Sequence, residues 1–366
     1  MSMIQEAYEN ALLADAAYIE INPNIDLEAQ LRSRLTPALA KYIGDNFSVV
    51  TSIEAPLSSF DAVVWRRNAD GQLFVSMRGT QQLTDFLVDA DLAVTGNARA
   101  QVLDLVNWWF RITTPVGQGA RQIQLEPQYD NSTPPVVLGS HYAAAPDVPG
   151  AGLISAADLM QGIEVNGHSL GGYLATAFTR LFGAYAHVEH TSTFNSAGFA
   201  PGSEAVFAEL QNLIGPGYGL GRFPNASEQT NYFAANGINV TTNSLYFNQA
   251  GQRVELFQEA GTGFPNHYMY KLTDMLALGM LLEKLDTAFT IDKLNTLVRD
   301  ASQNPAASLE SLVDALAQML SPGTPALSAG DADASAPTRV AYHEALHRLS
   351  TRARVLGLQG RLSISP

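Results

Sequence analysis

The chain runs Gly167-His168-Ser169-Leu170-Gly171-Gly172 directly after a short apolar segment, residues 163–165, and directly before Leu170, Leu174, Ala177, Phe178 and Leu181 at helical spacing. Gly-x-Ser-x-Gly between a strand and a helix describes a tight corner: the serine is forced into a strained backbone conformation, and the flanking glycines admit close approaches that larger side chains block. The following helix aims its N-terminal amides at any negative charge that develops beside the serine. A five-residue match alone recurs as an ordinary glycine-rich turn. The strand before, the helix after and the additional Gly172 favour a nucleophile at Ser169.

Working outward, further apolar runs at residues 136–138, 191–194, 238–241 and 254–257 alternate with helical stretches, which predicts a mostly parallel sheet covered by helices. Upstream, residues 47–53, 60–65 and 73–77 are rich in Val, Phe and Ile. Asn68, Asp70 and Gly71 supply a hairpin turn between the last two, giving an N-terminal β-meander. An amphipathic helix opens the chain over residues 3–20, before Pro23. Residues 113–135 and 215–225 read as surface loops, being rich in Pro, Gly and polar residues. Beyond about residue 285 strand signals stop. The expected organisation is a domain over residues 1–285 and a helical C-terminal extension over 286–366, interrupted by a Pro, Gly, Ser and Ala-rich stretch at 321–337.

The chain has 366 residues, of which 46% are hydrophobic and 15% charged, with a net charge of -14. That is enough apolar material for a sizeable core and argues against disorder. The acidic balance repels phosphate backbones, so no nucleic-acid partner is expected and any membrane contact is mainly apolar. Residues 339–366 hold five Arg against one Glu, which reads as a solvated basic helix. With no cysteine, thiol nucleophiles, disulfides and cysteine-ligated metals are excluded. No basic-then-apolar leader opens the chain, and the apolar stretch near residues 275–282 falls short of a bilayer span, so a soluble protein is expected, exported if at all without a signal peptide.

A serine hydroxyl needs a base and its oxyanion needs N–H donors. The backbone N–H of Leu170 is one donor, and Thr80, in Met77-Arg78-Gly79-Thr80 at the end of a strand, is a candidate second. Together with Asp85, residues 195–198, and His267 followed by Leu272-Thr273-Asp274, these motifs resemble the class 3 (fungal-type) lipase family of the α/β-hydrolases and the lipase-like modules of bacterial phospholipases A1 and toxins, over residues 60–280. The resemblance implies an α/β-hydrolase fold and a lipase or phospholipase A1 working without cofactor or metal on lipid at a membrane or micelle interface. It assigns Ser169 as nucleophile and Thr80 and Leu170 to the oxyanion hole. It leaves open a larger toxin context with an immunity partner.

Chain order in this fold places the base after the last core strand, where His267 stands in Phe264-Pro265-Asn266-His267. The acid departs from the family: no aspartate lies between Ser169 and His267. Glu259, at the end of a strand, is the first candidate and Glu228 the runner-up, with a dyad aided by Asn248 also open. The missing aspartate motivates the alternative of a catalytically lapsed lipid-binding or interaction module. A minor alternative is a zinc metallopeptidase at His343-Glu344-Ala345-Leu346-His347, weakened because no His, Asp or Glu follows as a third ligand. For a lipid-facing cover, the bulky run containing Trp108, Trp109 and Phe110 competes with residues 215–225. A buried helix is the plain reading of the former.

Overall fold

The computed structural model describes residues 2–79, 97–235, 247–258, 264–301, 308–328 and 339–365. Seven strands follow one another in the hydrogen-bonded order β1 (Phe47–Ala55), β2 (Phe60–Arg67), β3 (Leu73–Met77), β6 (Ile163–His168), β7 (Val188–Phe194), β8 (Gln229–Ala234) and β9 (Gln252–Leu256). The β2–β3 hairpin is antiparallel, with Val64 opposite Val75, whereas β3–β6 and β6–β7 are parallel, with Val75 beside Val165 and Val165 beside Thr191. Parallel neighbours require crossovers, and helices supply them. This is a mostly parallel mixed sheet flanked by helices.

The chain folds as two compact units: residues 49–230 with 242–252, and residues 1–48 with 231–241 and 253–366. The N-terminal helix belongs to the same unit as the helices of residues 269–355. In the first unit, α4 (Asn97–Thr113) and α6 (Leu170–Phe182) pack on one another beside the sheet. Trp109 meets the Phe178 ring edge-on at 4.6 Å and Phe110 meets Phe182 edge-on at 5.4 Å. Every residue of α6 from Leu174 to Phe182 is buried. Its buried polar residues are satisfied within the core: the Thr176 hydroxyl donates to the Gly172 carbonyl, the Thr179 hydroxyl donates to the Ala175 carbonyl, and the Arg180 guanidinium meets Glu204 and Gln211.

Two expectations are corrected in this unit. Residues 113–135 are not one loop, and residues 136–138 do not join the main sheet. Strands β4 (Gly119–Tyr129) and β5 (Val137–Pro149) form a separate antiparallel ribbon with Tyr129 opposite Val137. Both faces of its outer half are exposed, so no apolar alternation marks it in the sequence. Second, Trp108, Trp109 and Phe110 are buried in the core, at 5%, 0% and 4% exposure, so they offer no apolar surface to a lipid. Residues 215–225 hold neither helix nor strand, as expected, but Tyr218 packs on Phe110 and Phe223 on Phe199.

The second unit is built around α8 (Met269–Leu285), buried from Met269 through Gly279 except at Tyr270. Packed on it are α1 (Met3–Ala16) and α11 (Val340–Val355), and α9 (Ile291–Ala301), α10 (Ser308–Leu320) and α11 pack in succession. The opening helix ends at Ala16, and its start is fixed by the Ser2 hydroxyl accepting from Gln5 N–H. Strand β8 was not foreseen: its first three residues are polar yet fully buried. Residues 238–241 lie outside the described residues. None of the described helices is long and apolar enough to cross a membrane.

Candidate functional site

Strand β6 ends at His168 and α6 begins at Leu170, so Ser169 alone makes the corner, at φ 58° and ψ -123°. Such a conformation costs a non-glycine residue about 1–3 kcal/mol and persists only where its surroundings enforce it. Here they do. Ser169 N–H donates to the Phe194 carbonyl at 3.0 Å, and the Ser169 carbonyl accepts from Gly172 at 3.0 Å and Ala197 at 3.1 Å. Glycine is required on both sides by close approach. A Cβ on Gly167 would strike the Gly171 carbonyl, and one on Gly171 would strike the carbonyl of Met77. The Ser169 hydroxyl is fully buried and has no hydrogen-bond partner among the described residues. Leu170 is the first residue of α6, so its N–H has no intrahelical acceptor.

The contact of Gly171 with Met77 sets the end of β3 against the corner, and Met77 also pairs with Gly167 in the sheet. The structure thereby brings the start of Arg78-Gly79-Thr80 beside Ser169 and Leu170. Thr80 itself lies outside the described residues, as does Asp85. Sequence reasoning missed what holds this segment: Arg78 is buried in an ion pair with Asp61, its N–H donates to the Asp61 carbonyl at 3.0 Å, and Glu54 stands 3.8 Å from its guanidinium. The signal was present. Asp61 is a lone acid in the apolar strand Phe60–Arg67, and buried acids demand partners.

His267 ends the 3-10 turn Phe264–His267 and is buried, as is Asn266 beside it. It belongs to the second compact unit, whereas Ser169 belongs to the first. Glu259 lies outside the described residues. Glu228 is corrected: its carboxylate takes two hydrogen bonds from Arg222, at 2.7 and 2.9 Å, and a third from Asn225 N–H at 2.8 Å. These hold its pKa below the ordinary carboxylate value, the Arg222 bonds contributing most. It is spent on the turn before β8 and is not free to orient an imidazole. Asn248 bridges to Phe199 through its backbone, each N–H donating to the other's carbonyl at 2.8 Å.

Of His343 and His347, the first is likewise accounted for by packing. His343 is buried, with Nε2 at 2.8 Å from Asp274 Oδ1, while His347 is exposed. Asp274 also pairs with buried Arg339, whose guanidinium donates to the Tyr270 carbonyl at 2.8 Å, and the Tyr342 hydroxyl donates to the Asp274 carbonyl at 3.0 Å. His343 thus serves a buried polar network between α8 and α11. Burial pushes the His343 pKa down, with Arg339 assisting, and Asp274 only partly offsets this. A base with a depressed folded pKa binds fewer protons folded than unfolded, so its stabilising contribution is lost as pH falls below the unfolded value of about 6.5. Thermal melts from pH 7.5 to 5 are therefore expected to fall more steeply for the native chain than for His343→Gln. Parallel pH dependences would contradict this assignment.

No family model matches the chain, and no curated relative matches it. Among solved structures it is similar to lipase II from Rhizopus niveus, at 15% identity over 70% of this chain and 81% of that one, with a TM-score of 0.36. The lipase from Rhizopus microsporus var. chinensis matches at 14% identity over 69% of this chain and 74% of that one, with a TM-score of 0.35. The Lip2 lipase from Yarrowia lipolytica matches at 14% identity over 69% and 77%, with a TM-score of 0.34.

Proposed function

We propose that the chain is a serine carboxylic ester hydrolase acting on lipids, a lipase or phospholipase A1. The observation that carries the reading is Ser169: a strained corner, enforced by two obligatory glycines, holding a buried hydroxyl with no hydrogen-bond partner among the described residues at the start of a helix. Strain and an unsatisfied buried group each cost stability, and their coincidence at one residue marks a functional constraint.

In the proposed reaction Ser169 Oγ attacks the acyl carbonyl carbon while His267 accepts the hydroxyl proton. The N–H groups of Leu170 and Thr80 hold the resulting oxyanion. Collapse breaks the ester C–O bond, the alcohol leaves with the proton from His267, and an acyl-serine remains. His267 then takes a proton from water, whose oxygen attacks the acyl carbon; the C–O bond to Ser169 breaks, His267 returns the proton to Ser169 Oγ, and the fatty acid is freed. Glu259 is proposed as the group that orients His267. The Asp61–Arg78 pair fixes the segment that leads to Thr80.

Product analysis on trioleoylglycerol and on phosphatidylcholine with distinct acyl chains tests the substrate. Free fatty acid from the triglyceride identifies a lipase; sn-1 fatty acid with 2-acyl lysophospholipid identifies a phospholipase A1. No acyl release from either, or from a soluble p-nitrophenyl ester, contradicts the proposal and leaves the lapsed binding module, which the missing aspartate motivates.

A further inference from the structure

The β4–β5 ribbon carries a second assignment, which rests on the lipid-hydrolase reading. Its root is part of the core: Ile123 and Tyr142 are buried, and Arg99 from α4 donates to the Ser140 carbonyl at 2.6 Å. Beyond Tyr142 the ribbon continues through five residues to Val137, about 17 Å of strand at ~3.3 Å per residue. At its end stand Tyr129, Val136, Val137 and Leu138, with exposures of 54%, 55%, 58% and 66%. Isolated exposed apolar residues are ordinary, but four large ones at the tip of one projection are not.

The tip is built. Asp130 accepts from Val136 N–H at 2.8 Å and from Ser132 N–H at 3.1 Å, and its own N–H donates to the Val136 carbonyl at 2.9 Å. The same bonds, with the Ser132 hydroxyl first, hold the Asp130 carboxyl below its ordinary pKa.

We propose that this tip seats the protein on a zwitterionic phospholipid surface. Charge selects that occupant. From Gln122 to Thr179 the chain contains no Lys or Arg, while Glu126 and Asp130 flank the apolar residues. Polybasic attraction, the usual route to anionic lipid, is missing and the acids oppose it. A second copy adding a strand is disfavoured because Pro127 within β4 and Pro134-Pro135 at the tip remove edge N–H donors. Tyr129 supplies an aromatic body with a polar end, the chemistry of a headgroup boundary, and Val and Leu supply the part that leaves water.

The test uses the full chain, carried as Ser169→Ala so that vesicles are not consumed, in sedimentation with phosphatidylcholine vesicles and with phosphatidylglycerol vesicles. The pair Val137→Asp and Leu138→Asp is compared with Met319→Asp, which places the same charge on an exposed apolar residue of α10. Preferential binding to phosphatidylcholine that drops about tenfold or more in the tip variant, and not in the Met319 variant, is expected. Equal binding by tip variant and parent, preference for phosphatidylglycerol, or a tip-dependent dimer without vesicle binding overturns the proposal. Hydrolysis of a soluble p-nitrophenyl ester, measured with Ser169 intact, separates the two claims. Turnover without vesicle binding sinks the tip and spares the enzyme; binding without turnover does the reverse.

Discussion

On the proposed mechanism, Ser169→Ala is expected to lower kcat for ester hydrolysis by on the order of 10^4- to 10^6-fold and to leave KM within a small factor. The substitution removes one oxygen that makes no hydrogen bond among the described residues, so little stability is expected to be lost with it. Alanine at φ 58° is as strained as serine, and the contacts that enforce the corner belong to Gly167, Gly171, Phe194 and Ala197. The loss is therefore chemical: without Oγ no acyl-enzyme forms, while the oxyanion donors and the binding site remain. A burst of p-nitrophenol in stopped flow, present in the parent and missing in the variant, separates this from misfolding. Parent-like turnover in Ser169→Ala would refute the mechanism.

The largest expected effect on stability lies elsewhere. Asp274→Ala removes the carboxylate that pairs with two buried partners, Arg339 and His343, both within α11 or at its start. Breaking a buried ion pair from one side leaves a buried charge without its counter-ion, which costs about 3–5 kcal/mol. For a unit of this size that lowers Tm by on the order of 10 °C. Replacing both ends, Asp274→Leu with Arg339→Met, removes the stranded charge and restores most of the loss, because apolar pairs of similar volume substitute well for buried ion pairs. Urea denaturation of the single and double variants measures both quantities. A double variant no more stable than Asp274→Ala would show that the charge is not what the network is built to satisfy.

What the sequence discloses depends on how local the physics is. The corner at Ser169 is legible because its demands fall on neighbours: glycine at 167 and 171, an apolar strand before, an apolar stripe after. The β2–β3 hairpin is legible through Asp70 and Gly71, whose turn chemistry is also local. Partners that come from afar are not legible. Asp61 finds Arg78 across a sheet pairing, and Asp274 finds His343 across 69 residues. The β4–β5 ribbon escapes because a projection exposed on both faces needs no alternation. Strand β8 escapes because Gln229, Thr230 and Asn231 are polar residues buried by hydrogen bonding within a sheet. The run at Trp108 to Phe110 suits a lipid boundary and a core equally by composition, and only neighbours such as Phe178 and Phe182 decide it.

The central claim is that position 169 is an activated nucleophile, and a fluorophosphonate interrogates it directly. Incubated with the native chain, the reagent is expected to add one phosphonyl group, located by tandem mass spectrometry to Ser169, with labelling lost in Ser169→Ala and slowed strongly in His267→Ala. An unlabelled chain, or a label at another serine that persists in Ser169→Ala, would contradict the account.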